Sequence, residues 1–276
     1  ICLPGHPSGM IRVGPAGYPE GSRSPADGVR KVRQAGLDAL ELQFVRNVQF
    51  NPQKAHEARE EAERLDVLLS AHAPYYINLA SPSPETREKS MEWVIRAMRG
   101  AEAFGAWLVV VHAATYGRLG KEEATRQVIA AFHEVSDRAR GEGLNALIGL
   151  ETMGRGAAWG TLEEIARVMA EVPGTVPVVD FAHLRARGTD INPASLRSML
   201  APVPDVPRLH CHISGIEFTA AGERRHLRLG EGLDHLMVLD ALVDRGMEAT
   251  VICESTAPME DSRRMLEHLT GSCRSI

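Results

Sequence analysis

The sequence predicts an α/β protein, a single (β/α)8 TIM barrel, on three observations. Its 276 residues are close to the ~250 typical of that fold. Short apolar, β-branched runs alternate with long charged amphipathic segments, eight runs in all. The later runs end, one after another, in His, Asp or Glu, and the carboxyl ends of barrel strands converge on one mouth.

The expected strands are Ile11 to Gly14, Ala39 to Gln43, Leu68 to Ala71, Trp107 to His112, Ala146 to Glu151, Val176 to Asp180, Arg208 to His212 and Thr250 to Glu254. Between them, helical periodicity covers Pro25 to Ala35, Gln53 to Leu65, Pro84 to Phe104, Lys121 to Gly141, Leu162 to Val172 and Leu233 to Arg245. The third and fourth of these are rich in Ala, Glu and Arg, good helix formers. Thr161 reads as an N-cap, with Glu163 and Glu164 in the first turn where the helix dipole favours acids. Strand–helix alternation argues for a parallel sheet, and eight units argue for closure. An open doubly wound sheet is disfavoured, because Gly14-Pro15-Ala16-Gly17 puts a proline where a phosphate-binding helix would begin.

No linker or charge run divides the chain, so residues 1–9 read as a tail without signal-peptide character and 10–276 as one domain. Hydrophobic residues make up 44% and charged ones 24%, ordinary for a soluble globular protein, and no apolar run approaches a membrane span. Cys2, Cys211, Cys253 and Cys273 are scattered, which points away from disulfides and thiolate zinc knuckles and toward the cytoplasm. A formal net charge of −5 gives no overall basic footprint.

The chemistry lies at the strand ends. His72 follows the third strand; His112, Glu151, Asp180, His212 and Glu254 end the fourth to eighth. His183 lies three residues after Asp180, and His226 sits in the loop after the seventh strand. Any one of these is more often a cap or a solvated loop residue than a ligand. Together they require another account, because carboxylates and imidazoles buried side by side are costly without a cation. Imidazole and carboxylate without thiolate suit zinc, manganese or iron, and about eight ligands are too many for one tetrahedral ion. Cys211 and Cys253 alternate away from the ligands, toward the helices. His210 points with His212 but one layer deeper, while His6, His56, His133, His235 and His268 read as solvated.

On these residues the chain resembles the endonuclease IV family of apurinic/apyrimidinic endonucleases, within the xylose-isomerase-like barrel superfamily. The likeness runs from about Met10 to Glu254 through Ser70-Ala71-His72-Ala73-Pro74-Tyr75-Tyr76-Ile77-Asn78-Leu79, Val111-His112, Leu150-Glu151-Thr152, Asp180-Phe181-Ala182-His183, His212-Ile213-Ser214, His226 with Leu229-Gly230-Glu231-Gly232, and Cys253-Glu254-Ser255. The resemblance implies three zinc ions: one on His72, His112 and Glu151; a second on Glu151, Asp180, His212 and Glu254; a third on His183 and His226. It implies metal-dependent hydrolysis of the phosphodiester 5′ of an abasic site in double-stranded DNA, with Glu151 and Glu254 at the reacting centre. It also implies that Tyr75 wedges into the duplex and that Arg46 contacts DNA. A monomer is expected.

One departure matters. The family carries Asp two residues before the last histidine, where this chain has Arg224, which cannot ligate. Glu223 is the available substitute; without it incision leans on two metals. Arg118, Arg155, Arg185 and Arg187 are further candidates for the DNA backbone by loop position. The competing reading is a sugar isomerase or epimerase with one divalent ion on Glu151, Asp180, His212 and Glu254, which leaves His72, His112 and His226 without a role. A scaffold without catalysis has no positive support.

Overall fold

The computed structural model describes residues 11–200, 206 and 208–272. The expected tail, with Cys2 and His6, and Cys273 lie outside the described residues. In chain order the strands are β1 (Ile11–Pro15), β2 (Ala39–Gln43), β3 (Leu68–His72), β4 (Leu108–Val111), β5 (Leu147–Glu151), β6 (Thr175–Asp180), β7 (Leu209–Ile213), β8 (Gly215–Thr219), β9 (Gly222–Leu227) and β10 (Ala249–Cys253). The helices are α1 (Pro25–Gln34), α2 (Pro52–Leu65), α3 (Pro84–Phe104), α4 (Lys121–Gly141), α5 (Leu162–Glu171), α6 (Phe181–Ala186), α7 (Pro193–Leu200), α8 (His235–Arg245) and α9 (Pro258–Ser272).

The eight expected strands are present within about two residues at each end, all parallel, in the order β2-β3-β4-β5-β6-β7-β10-β1. The ring closes through a parallel bridge of Ala16 to Glu41, with Gly17 N–H donating to the Glu41 carbonyl at 2.9 Å. Closure presses β1 onto β2 so tightly that a Cβ at Gly14 would lie 1.7 Å from the Ala39 carbonyl oxygen. The antiparallel hairpin of β8 and β9 was not legible as strands in the sequence, being short and polar, and it replaces the loop expected after β7.

Helix starts are written in the sequence. Ser24, Asn51 and Ser83 cap α1, α2 and α3 ahead of a proline in the first turn, and Thr161 with Glu164 forms a reciprocal capping box on α5. The principal core fills the space between sheet and helices, with Val29, Leu40, Val94, Phe132, Trp159 and Leu239 fully buried. Inside the barrel, Leu108 and Val110 meet Val176 and Val178 as an apolar half-floor. Opposite them the floor is polar, with Glu41, Ser70, His210 and Thr250 buried. None of the described helices is long and apolar enough to cross a membrane.

A second knot ties the segments after β9 and β10 together. Buried Asp261, near the start of α9, accepts from Ser255 Oγ at 2.6 Å, Arg228 at 3.0 and 2.8 Å, Leu229 N–H at 3.1 Å and Arg264 at 3.2 Å. Burial pushes its carboxyl up, but these donors outweigh burial and hold it far below the usual range.

Two outcomes are expected. Gly14→Ala forces β1 away from β2 and destabilises by about 3 kcal/mol or more, read as a fall in the denaturant midpoint. Asp261→Asn costs about 2 kcal/mol at neutral pH. Because the Asp261 pKa is depressed on folding, its stabilisation is present above the unfolded value of ~3.9 and lost as pH falls below it. The stability difference between wild type and variant is therefore flat near neutrality and shrinks below about pH 4, measurable by urea unfolding at several pH values.

Candidate metal centre

Side-chain alternation aims one residue in two from each strand into the barrel, and the last inward position of β3 to β7 and of β10 carries His72, His112, Glu151, Asp180, His212 and Glu254. His112 and Glu254 stand one residue past their strands. The parallel register sets Asp180 beside His212. The convergence is centred on Glu151, which is buried. Its Oε2 lies 2.7 Å from His112 Nε2 and 3.2 Å from His72 Nε2; its Oε1 lies 3.1 Å from His212 Nδ1 and 3.3 Å from His183 Nδ1. One carboxylate thus faces two histidine pairs through separate oxygens.

Three groups at the mouth bring ligand atoms within 4.8 Å of one another: His72, His112 and Glu151; Glu151, Asp180, His212 and Glu254; and Asp180, His183 and His226. The first two share Glu151 and the last two share Asp180. His226 arrives on the hairpin, whose Gly222 packs backbone to backbone on Gly154: a Cβ there would meet the Gly154 carbonyl oxygen at 2.5 Å.

The hairpin also accommodates Arg224. Its register slips by one between Glu217 and Phe218, so Arg224 is the extra residue of a β-bulge on β9. In a regular strand residues three apart face opposite sides; with one residue bulged out, Glu223 and His226 face the same side. Glu223 Oε2 lies 3.2 Å from His183 Nε2, and its Oε1 3.7 Å from His226 Nε2. Arg224 and Arg225 turn outward and both pair with Glu217.

The hydrogen bonds fix which ring nitrogens face the centre. Nδ1 of His72, His183 and His226 lies 2.7, 2.9 and 3.1 Å from the carbonyls of Ala73, Thr152 and Glu254. With Nδ1–H given to backbone, each Nε2 is turned toward the acids: that of His72 lies 3.2 Å from Glu151 Oε2, that of His183 3.2 Å from Glu223 Oε2 and that of His226 3.7 Å from Glu223 Oε1. His212 is reversed: its Nε2 meets Glu41 Oε2 at 3.1 Å and its Nδ1 faces the centre.

The electrostatics are those of crowded, buried charge. Burial disfavours the charged form of His72, but the Glu151 carboxylate outweighs it and pushes the pKa up to about 9. Burial likewise opposes charge on His183 and His212, and the surrounding acids drive both well above the usual range. Glu223, despite burial, is held down at about 2, chiefly by His183. Asp180 is pushed up, by burial first and then by Glu151. Two buried atoms aimed into the cluster make no well-formed hydrogen bond, His112 Nε2 and Asp180 Oδ2. An orphaned imidazole nitrogen, an orphaned carboxylate oxygen and further imidazoles converging on buried acids are the donor set a divalent cation satisfies.

Around this mouth, Tyr75 stands 60% exposed on the loop after β3, against Tyr76, which contacts Trp93. Arg46 is exposed on the loop after β2, and its carbonyl accepts from the Tyr76 hydroxyl at 3.3 Å. Arg118 and Arg155 are exposed as well. Arg187 is not available to a ligand backbone: it donates to the carbonyls of Met153, Arg155 and Ala158 and to the Tyr116 hydroxyl, pinning the loop after β5. Arg185 leans over the Phe218 ring and stands 3.6 Å from Asp190. His235, expected in solvent, is buried at the start of α8. Cys211 and Cys253 are buried free thiols, as alternation requires.

Sequence reasoning missed Glu41. The signal was an acid in the middle of the apolar run Ala39-Leu40-Glu41-Leu42, at an inward position of β2. It lies in mid-strand rather than at the strand end, so a search of strand ends passes over it.

The model of the xylose isomerase-like TIM barrel family matches residues 29–271. An uncharacterised protein of Methanocaldococcus jannaschii is 32% identical over 255 residues, 89% of this chain and 92% of that one. A probable endonuclease 4 of Chloroflexus aurantiacus is 28% identical over 215 residues, 71% of this chain and 74% of that one. Among solved structures, endonuclease IV from Thermus thermophilus superposes with a TM-score of 0.75 at 19% identity, covering 96% of this chain and 100% of that one. A D-tagatose 3-epimerase-like protein gives 0.74 at 20%, covering 96% and 98%. At such identities the two structures show the shared barrel alone. With the family model matched from α1 to α9, the chain belongs to the xylose isomerase-like TIM barrel family.

Proposed function

We propose that this protein is a zinc-dependent endonuclease that hydrolyses the phosphodiester 5′ of abasic sites in double-stranded DNA, the incision step of base excision repair. The observation that carries the reading is the set of imidazoles beyond the four-residue group of Glu151, Asp180, His212 and Glu254. His72 and His112 add a lobe on one side of Glu151, and His183 with His226 adds another beside Asp180. A one-ion site needs neither lobe. The relatives named probable endonuclease 4 support the same choice.

In this reading His72, His112 and Glu151 would hold a first ion, Glu151, Asp180, His212 and Glu254 a second, and His183, His226 and Glu223 a third. Zinc suits these ligands, and manganese is compatible with them. Bound there, the ions would lower the pKa of water, neutralise the phosphate and stabilise the leaving oxygen. The chain's own residues supply orientation. Glu254 is more exposed than Glu151 and reaches His212 at 3.6 Å and His226 at 3.8 Å through different oxygens. It thus stands at the solvent side of the cluster, where it would align an attacking water. Tyr75 is placed to fill the gap left by a missing base, and Arg46 to meet backbone phosphate.

A second reading keeps one observation in its favour. Glu151, Asp180, His212 and Glu254 form a complete group by themselves, which suffices for a one-ion sugar epimerase, and epimerase structures share the barrel. One assay separates the two. Metal-replete protein is expected to cut a duplex oligonucleotide bearing one abasic site on its 5′ side, chelator is expected to abolish the cut, and Glu254→Gln to slow it by about 10²-fold or more. Absence of cutting, with turnover of a ketose panel, would move the assignment to epimerase.

The bulge yields a separate expectation. Glu223→Ala should weaken one ion by about 10- to 100-fold while the others stay bound, read by metal analysis after graded dialysis. An undiminished complement would mean that the third ion does without Glu223.

A further inference from the structure

The floor beneath the metal centre holds a carboxylate that the proposed reaction does not use. Glu41 lies on β2, across the barrel from His212, and is fully buried. Four donors surround it. Ser70 Oγ donates to Oε2 at 3.0 Å, His210 Nε2 meets the same oxygen at 3.0 Å and His212 Nε2 at 3.1 Å, while Gln43 Nε2 donates to Oε1 at 3.2 Å. A buried carboxylate costs several kcal/mol unless its oxygens are satisfied, and these donors come from β2, β3 and β7.

The contrast with the other histidines gives Glu41 its role. His72, His183 and His226 each give Nδ1–H to a backbone carbonyl in a loop or at a strand end. His212 lies inside β7, between paired strands β6 and β10, where neighbouring carbonyls serve the sheet. Its ring is anchored instead by a side chain reaching across the floor.

We propose that Glu41 is a positioning residue: held by Ser70, Gln43 and His210, it takes the Nε2–H of His212 and so fixes that ring in the tautomer that offers Nδ1 to the metal group of Glu151, Asp180 and Glu254. The inference rests on reading that group as a metal site. A carboxylate behind a ligating imidazole orients the ring and strengthens it as a donor. Glu41, His210 and His212 also bring ligand atoms within 4.8 Å, but an ion there would take both nitrogens of His212 and require a doubly deprotonated ring. Ser70 Oγ and Gln43 Nε2 donate to the two oxygens of Glu41, which serve as acceptors.

The test uses the full chain loaded with cadmium-113 and labelled with nitrogen-15 at histidine, the His212 ring being identified by its loss in His212→Gln. The expected spectrum shows His212 protonated at Nε2 and coupled to cadmium at Nδ1, with His72 showing the opposite pattern. Cadmium on His212 Nε2 overturns the assignment alone. A protein that binds neither cadmium nor zinc overturns the metal-centre reading and the assignment with it. In Glu41→Gln, zinc affinity at one site should fall by about 10- to 100-fold with the remaining ions retained. A variant with lowered Tm and unchanged affinity at every site would make Glu41 merely structural and sink the proposal. Should this variant not fold, the spectrum of the wild-type chain decides.

Discussion

Glu151 cannot be buried by itself. A carboxylate at the end of a central strand, shut off from water, needs positive partners on both oxygens, and it has four imidazoles within 3.3 Å. Those four rings come from β3, the end of β4, β7 and α6, so the demand of one side chain organises much of the mouth. The crowding then propagates. Asp180 and Glu254 join the same cluster; against burial, Asp180 first drives His183, and Glu41 followed by Glu254 and Glu151 drive His212, well above the ordinary imidazole range, while His112 Nε2 and Asp180 Oδ2 keep no well-formed hydrogen bond. The arrangement is strained as a set of protonated and deprotonated side chains and well matched as a set of ligands.

Around this centre the fold supplies two supports of different kind. Beneath it, the barrel interior is divided: β4 and β6 contribute valines and a leucine, while β2, β3 and β7 contribute Glu41, Ser70 and His210. The polar half is tied together at Glu41, although His210 Nδ1 and Thr250 Oγ1 keep no hydrogen-bond partner, and it meets the centre through His212. Beside it, the hairpin of β8 and β9 is clamped by the Gly154–Gly222 approach and, at its far end, by Arg228 on Asp261. Because Asp261 also holds Ser255, the residue after Glu254, one buried carboxylate positions both His226 and Glu254 relative to the barrel.

The bulge at Arg224 decides which side chains of the hairpin face the mouth. An arginine at the inward position would bring a fixed positive charge beside His183 and His226, two residues of the candidate metal centre. With one residue bulged out, the arginine faces Glu217 and the preceding glutamate turns inward. The same barrel is shared by solved structures named as an endonuclease and as epimerases, so the sheet by itself does not tell those activities apart.

The sequence by itself determined the barrel, because alternating apolar runs and capped amphipathic helices admit few other packings, and it determined which His, Asp and Glu residues gather at the mouth, because the fold class states where strand ends go. His72, His112, Glu151, Asp180, His212 and Glu254 were legible for that reason. Tertiary structure decided whatever depends on distance across the barrel or on register. The partnership of Glu41 with His212 joins residues 171 positions apart, on strands separated in the sheet by β10 and β1, and no local pattern encodes it. The inward turn of Glu223 follows from one slipped residue in a hairpin too short and polar to announce itself. The commitment of Arg187 to three backbone carbonyls and the burial of His235 were equally out of reach, since a charged or polar side chain reads as solvated until the structure shows what surrounds it.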